Sequence, residues 1–536
     1  MAAVTALAGV ALAACSGASG GAPGDAAAVG NPGKPVTIAM WSPWDTMQPY
    51  NTGGVYDSVV YEQILDRLVY LDSKSEFKPR LASKWEVSED HKTFTFHLNE
   101  KAKWTDGQPL TADDVLFTAQ IVTNPETQAK SRSMFRYLTG TDDSGVAKDP
   151  NALGVKAVDA HTVQFSTKNP MDETSFLYSF ALAFYTFPKH VLGGVAPAEL
   201  HKNDYWHKMT PGSGPYKWVS SVDGQMVELE ANPDYFLGAP SIPKLAVRVI
   251  PQANLTAGLM SGDIDVLVGF GMGEVPLEDW PTIQQQPNLT AISTPTWIFQ
   301  VMNVNTAQPY LKDPRIRQAI SMAVDRNVMV DQLLKGEGVA ARGPFPPSHP
   351  YFNKNLPAVP HDLEKAKQLL KDAGWDPNRE LVMVTPSGNQ VRERSATLMQ
   401  QDLQKVGVKV KIQLVDYPTS QTMQKKGEYD LGLVGQTGSL DPDAVSPYLM
   451  PGSPSNYTKL ADQRIGDLLT KGRSEFVQEK RQPFYDQLQT ALQDQVPVVY
   501  LYHPNSLLAI NKRMKDVPVG DFMWYNYGTW MWKVSN

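Results

Sequence analysis

The spacing of apolar positions changes period several times along the chain, and each change marks an element. Residues 36–40 are a continuous apolar run, which predicts a buried strand. A loop carrying Trp41, Trp44, Pro49 and Tyr50 follows. Asp57 then opens a helix whose Val59, Val60, Ile64, Leu65 and Leu68 share one face. Residues 84–88 and 92–98 read as strands, the second strictly alternating, with the polar turn 89–91 between them. Thr111 and Asp114 have the spacing of a capping box at a helix start. A second antiparallel pair spans 154–166 around the turn 159–161.

Further along, 244–251 predicts a strand, 254–262 a short helix ending in glycine and 264–268 another strand. The stretch 297–326 changes character twice. Residues 297–303 look like a buried strand and 305–309 like a turn. Asp313-Pro314 then caps a helix with Ile316, Ala319, Ile320, Ala323 and Val324 inside. Beyond it lie a helix at 361–373, strand 381–385, helix 390–406, strand 408–415, a helix ending at 426 and strand 429–434. That β-α-β-α-β order favours a mostly parallel sheet with helices on its faces. A helix at 475–493 and an apolar strand at 496–502 lead back out, and the aromatic-rich 522–534 is expected to complete the first lobe.

Composition narrows the function classes. A chain of 536 residues exceeds one hydrophobic core, so two or more domains are expected. A net charge of −7 with scattered charges argues against a nucleic-acid partner. The single cysteine, Cys15, ends an apolar segment too short to span a bilayer, and Leu12-Ala13-Ala14-Cys15 looks like a bacterial lipobox. No Lys or Arg precedes that segment, so the start lies upstream or the signal is atypical. Residues 16–35 form a Gly/Ala/Ser/Pro-rich tether. The expectation is a domain held at the extracytoplasmic face of the cell membrane by lipid on Cys15.

The sequence carries no recognisable catalytic or metal motif. There is no His-Glu-x-x-His, no Gly-x-Ser-x-Gly and no phosphate-binding glycine loop. His201 and His207 flank Asp204 without sharing a helical face. Gly269-Phe270-Gly271-Met272-Gly273 misses the dinucleotide spacing and reads as a plain loop. No catalytic residue, metal site or cofactor is expected.

Several stretches, in order, resemble the extracellular solute-binding proteins of family 5, which serve ABC importers for peptides and some other solutes. They are Phe77-Lys78-Pro79-Arg80-Leu81-Ala82, Lys103-Trp104-Thr105-Asp106-Gly107, Thr111-Ala112-Asp113-Asp114-Val115, Gly212-Ser213-Gly214-Pro215-Tyr216, Asn232-Pro233-Asp234-Tyr235, Ser261-Gly262-Asp263-Ile264-Asp265 and Asp313-Pro314-Arg315-Ile316-Arg317-Gln318.

The resemblance implies an α/β, two-lobe periplasmic-binding-protein-like clamp of type II with two crossover strands, near 299–303 and 499–503. It divides the chain into a signal peptide (1–14), a lipid-anchored linker (15–35), lobe I (36–69, 201–296 and 504–536), a subdomain inserted in lobe I (70–200) and lobe II (297–503). It further implies a monomer that captures a peptide by hinge closure and delivers it to ABC permease and ATPase subunits.

In peptide-binding members an Asp after a second-lobe strand pairs with the ligand's amino terminus. Here Gln436 stands where that Asp is expected, beside Val434 and Gly435, and a neutral amide cannot neutralise a buried ammonium. Asp441 is the nearby alternative. An oligosaccharide ligand stacked on Trp41, Trp44, Trp297, Tyr417, Tyr502 and Trp524 stays open, as does a surface enzyme or adhesion protein on the same fold. Trp297 is placed near the cleft mouth.

Overall fold

The computed structural model describes residues 34–51, 56–520 and 525–535. Cys15, the 1–14 segment, most of the tether and Trp524 lie outside them. One sheet of twelve strands runs through both lobes. Its order is Lys409–Val415, Glu380–Pro386, Leu431–Thr437, Ile298–Val304, Val498–Asn511, Val266–Leu267, Val36–Met40, Lys244–Val249, Met226–Ala231 and Tyr216–Val222, with Leu289–Pro295 and Gly338–Ala340 also paired to Val498–Asn511. Val36–Met40 pairs parallel with Lys244–Val249 and Val266–Leu267. In the other lobe, Glu380–Pro386 pairs parallel with Lys409–Val415 and Leu431–Thr437. These strands are joined by helices, as parallel neighbours require.

The strand Val498–Asn511 is 14 residues long, and its two halves serve different lobes. Tyr502, Tyr500, Val499 and Val498 pair with Gln300–Asn303, whereas residues 505–511 pair with Leu289–Pro295. The sequence predicted a strand ending at Tyr502. It continues because Leu507, Leu508, Ala509 and Ile510 bury into the next core.

The cores change at the same place on both crossings. Trp297 belongs to the first cluster and Phe299 to another, while Tyr502 packs with the second lobe and Leu507 with the first. A separate four-stranded antiparallel sheet, Ala82–Val87, Thr93–Leu98, Thr162–Ser166 and Val155–Asp159, sits on the first lobe. Its inner face is aromatic, with Phe94 stacked on Phe176 at 3.9 Å and Phe165 edge-on to Phe180 at 4.9 Å.

The stretches that carried the family resemblance pin the backbone. Arg80 is buried, ion-paired to buried Asp66, and lies 5.0 Å over the Trp530 ring. Asp265 accepts two bonds of 2.6 Å from Arg513 and one of 2.9 Å from the Thr37 N–H. Asp114 caps its helix through the Thr111 N–H at 2.9 Å. Arg315 pairs outside with Asp313, but Arg317 turns inward. Its guanidinium donates to the carbonyls of Leu311, Lys312 and Gln495 at 2.7–2.8 Å. Burial pulls its pKa down to about 10, against a weaker opposing pull from Asp313.

Arg317→Leu strands one buried carbonyl, that of Leu311, and two partly buried ones, those of Lys312 and Gln495. It should lower the unfolding free energy by about 3 kcal/mol, against about 0.5 kcal/mol for Arg315→Leu. Urea denaturation of both variants measures the difference, and equal losses would contradict this assignment.

Candidate ligand cleft between the lobes

On the second lobe the cleft is built from strand ends. Leu431–Thr437 pairs along its whole length with Ile298–Val304, but its other edge meets Glu380–Pro386 only at Leu431 and Gly432. The edge from Leu433 to Thr437 therefore has no strand partner among the described residues. Gly435 is half-buried there, and a Cβ on it would lie 2.7 Å from both Arg392 Nη2 and Gln300 Nε2. Glycine is thus required for these side chains to lie against the strand. Arg392 projects from the first turn of Gln390–Lys405, and its Nε donates to Gln300 Oε1 at 3.0 Å.

On the first lobe the rim is the loop after Val266–Leu267. Gly269, Phe270 and Gly271 all have positive φ, at 78°, 52° and 76°. A phenylalanine in that region costs about 1–3 kcal/mol and persists only where its surroundings fix it. The Phe270 N–H donates to Ser506 Oγ at 3.0 Å, and Tyr56 Oη donates to the Gly271 carbonyl at 3.1 Å. Trp41 Nε1 donates to Tyr56 Oη at 2.7 Å, tying the loop to the first strand's end.

The loop 438–441 leaves the open-edged strand and walls a chamber of about 660 Å³, which Met171, Ser175 and Tyr178 of the subdomain close from the other side. A buried ion triad crosses between those two walls. Arg481 Nη1 donates to Asp172 Oδ2 at 3.2 Å, and Nη2 to Asp441 Oδ1 at 2.9 Å. Ser175 Oγ donates to Asp441 Oδ2 at 2.6 Å. Burial opposes the Arg481 charge, but Asp441, Tyr485 and Asp172 outweigh it and raise its pKa.

Residues 76–459 match the sequence profile of the family described as "Bacterial extracellular solute-binding proteins, family 5 Middle". The chain belongs to that family. It is 28% identical over 469 residues to the oligopeptide-binding protein AppA of Bacillus subtilis, covering 84% of this chain and 82% of the relative. It is 27% identical over 496 residues to the dipeptide-binding protein of Escherichia coli, covering 88% and 89%. The fold matches the ABC transporter substrate-binding protein CtaP of Listeria monocytogenes with a TM-score of 0.80 at 25% identity, covering 94% of this chain and all of that one.

This family 5 binding protein brings together fewer of the sequence-nominated residues than expected. Gln436 lies opposite Phe299 on the strand face away from Arg392 and lines a crevice of about 10 Å³ with Phe299, Pro344 and Tyr500. Val434 is buried on that same face, in a core with Val301 and Tyr500, and offers no side chain to the cleft. Asp441 already accepts from Arg481 and the Asp443 N–H on Oδ1 and from Ser175 on Oδ2, so an ammonium there would share a carboxylate that Arg481 neutralises.

The aromatic candidates also disperse. Trp297 is 1% exposed, covered by His349 and the peptide of Gly438, and so does not stand at the cleft mouth. Tyr502 is 1% exposed, with its hydroxyl against Ser395. Trp44 lines a hollow with His201, Trp206 and Trp218, all first-lobe residues. Trp41 and Tyr417 remain accessible, the latter 51% exposed. Among the described residues no group of His, Cys, Asp or Glu could hold a metal ion, and no helix is long and apolar enough to cross a membrane.

The sequence reading does not nominate Arg392, Gln300 or Tyr56, whose bonds hold the open-edged strand and the first-lobe loop.

Two buried histidines lie behind the cleft. His349 Nδ1 accepts from the Tyr351 N–H at 3.0 Å and Nε2 reaches the Ser439 carbonyl at 2.8 Å, a pattern that suits the neutral ring. Burial pushes both His349 and His503 down to about 4. Because the unfolded rings titrate near 6.5, stability is complete above that pH and is lost as pH falls from 6.5 through 4. The loss approaches about 3 kcal/mol per ring. His349→Gln should flatten the dependence of unfolding free energy on pH across that window, as read by urea melts at pH 7, 5.5 and 4.5. An unchanged slope would exclude His349 as a contributor.

The ion triad makes its own prediction. Arg481→Leu leaves Asp172 and Asp441 facing each other and should cost about 3–5 kcal/mol. Adding Asp172→Asn should restore more than about 1 kcal/mol, and a strictly additive double variant would rule out the coupling.

Proposed function

We propose that this protein is the ligand-capturing component of an ABC importer for short peptides, held outside the cell membrane by lipid on Cys15. The observation that carries the reading is the unpartnered strand edge from Leu433 to Thr437, which faces the cleft beside half-buried Gly435. An extended peptide adds to such an edge through its own main-chain N–H and C=O groups, so binding is largely independent of side-chain identity. The chamber of about 660 Å³ at the end of that edge then receives a ligand side chain. Relatives that are named oligopeptide- and dipeptide-binding proteins support the same class.

The oligosaccharide reading needs aromatic faces on the cleft, and Trp297 and Tyr502 are buried while Trp44 lines a first-lobe hollow. Closure is about the two crossings, at Thr296–Trp297 and at 502–506 of the long strand, where few residues need to change conformation. Once closed, the protein presents both lobes together to the permease.

A thermal-shift screen tests the ligand class. Ligand at a hundredfold excess over Kd adds about 2.7 kcal/mol of stability. Members of a library of two- to five-residue peptides should raise Tm, whereas cello-, xylo- and malto-oligosaccharides should not. A sugar that stabilises where no peptide does would replace this reading, and hydrolysis of bound peptide would replace it with an enzyme.

A further inference from the structure

The two strand crossings are not the only ties between the lobes. The loop 438–441 leaves the second-lobe strand Leu431–Thr437 and ends against the subdomain of the first lobe. At its start the Gly438 N–H donates to the Trp297 carbonyl at 2.7 Å, and a Cβ on Gly438 would lie 2.9 Å from that same oxygen. Its tip, Leu440, is 5% exposed and packs in the first-lobe core, away from both second-lobe clusters.

An ion triad backs this apolar contact. Arg481, on the helix Gln478–Gln495, is rooted in the second lobe. Its Nε donates to the Gly472 carbonyl at 2.8 Å, and its guanidinium lies 5.4 Å from the Tyr485 ring centre. One terminal nitrogen then reaches Asp172 of the subdomain and the other Asp441 of the loop. Asp172 caps the short helix Glu173–Phe176 through the Ser175 N–H at 3.1 Å, and Ser175 Oγ donates to Asp441. Beside them His91, whose carbonyl accepts from the Met171 N–H at 2.9 Å, stacks on Phe476 of the second lobe with ring centroids 4.5 Å apart.

Each side of this junction is fixed to its own lobe. Phe176, next to Ser175, is stacked on Phe94 in the first-lobe core, while Arg481 is buried against second-lobe residues. Hydrogen bonds tolerate changes of only a few tenths of an ångström. A rotation that parts the lobes about their crossings therefore has to break the triad and withdraw Leu440. Other inter-lobe bonds, such as Trp280 Nε1 to Glu337 Oε1 at 2.6 Å, lie beside the crossing itself, where the Asn505 N–H meets the Glu337 carbonyl at 3.1 Å.

We propose that Leu440, Ser175 and the Asp172–Arg481–Asp441 triad form a latch between the lobes, and that ligand exit has to open it. The proposal rests on the hinge-closing peptide reading above and adds the contact that governs the hinge. In the latched arrangement Met171, Ser175 and Tyr178 face Ser439 and Asp441 across the chamber, so both lobes wall it and a ligand is retained. Every bond of the latch is made within the chain, so it sets the balance between latched and open forms before any ligand arrives. A buried ion pair adds little net stability over apolar packing yet demands one geometry, which suits a contact that must both hold and release.

Hydrogen exchange of the full, ligand-free chain tests this with one substitution from each lobe. Ser175→Ala removes a hydroxyl donor from the subdomain and leaves the Asp172 cap in place. Leu440→Ala removes the apolar tip from the second-lobe loop. Either variant should speed exchange about tenfold or more over both 171–178 and 438–444, with the ladder 298–304 unchanged. Acceleration confined to the segment that carries the substitution would overturn the proposal. So would an equal rise in the ladder, which would mean unfolding instead of release. The library peptide that raises Tm most should dissociate about fivefold or more faster from each variant than from wild type, with little change in association. Dissociation unchanged in both variants would overturn control of exit by the latch. If no library peptide binds, the peptide reading fails, and hydrogen exchange alone upholds or overturns the latch.

Discussion

The constraint on which the architecture depends is a single strand that both lobes must share. Val498–Asn511 donates its first half to the sheet of one lobe and its second half to that of the other. A β-ladder fixes register, because a one-residue slip would turn every side chain to the opposite face. The lobes cannot slide along one another without breaking that ladder. The closure proposed above is a rotation about the few residues between the two paired halves, alongside Thr296 and Trp297 on the neighbouring strand. The cleft's chemistry is arranged against this axis. Ser506 anchors the first-lobe rim, and Tyr502 buttresses the second through Ser395.

Several buried charges in the molecule are paired within the chain. Arg80 with Asp66, Arg513 with Asp265 and Arg481 with Asp172 and Asp441 are buried and mutually compensated. Such pairs add little net stability over apolar packing, but breaking one is costly, so they specify a backbone arrangement. Arg317, Arg326 and Arg392 have no carboxylate partner among the described residues, and the first two spend their N–H groups on backbone carbonyls instead.

Much of the fold was legible in the sequence because its signals are local. The apolar run at 36–40 forms the strand Val36–Met40, the alternation at 92–98 forms Thr93–Leu98, and Asp313-Pro314 caps Pro314–Ala323. The family's motifs were legible as short stretches, and within them Arg80, Asp114, Asp265 and Arg317 pin this chain's backbone. What escaped depends on non-local packing. The strand Leu289–Pro295 went unread, and the strand after Val498 was cut at Tyr502. Its second half is buried only because a different core meets it there.

The ligand side was hardest to read, for a reason of parity. Gln436 and Gly435 are adjacent in sequence, and the sequence argument attached the ligand to the more polar of the two. In a strand, neighbours point to opposite faces, and the unbroken pairing with Ile298–Val304 puts Gly435 on the face of Gln300 and Gln436 on that of Phe299. That places Gly435 beside Arg392 and sends Gln436 into a crevice with Phe299 and Pro344. Composition around position 436 carries no trace of this choice, which is made by pairing partners more than sixty residues away. The absence of an Asp at 436 therefore says little about the ligand's charge.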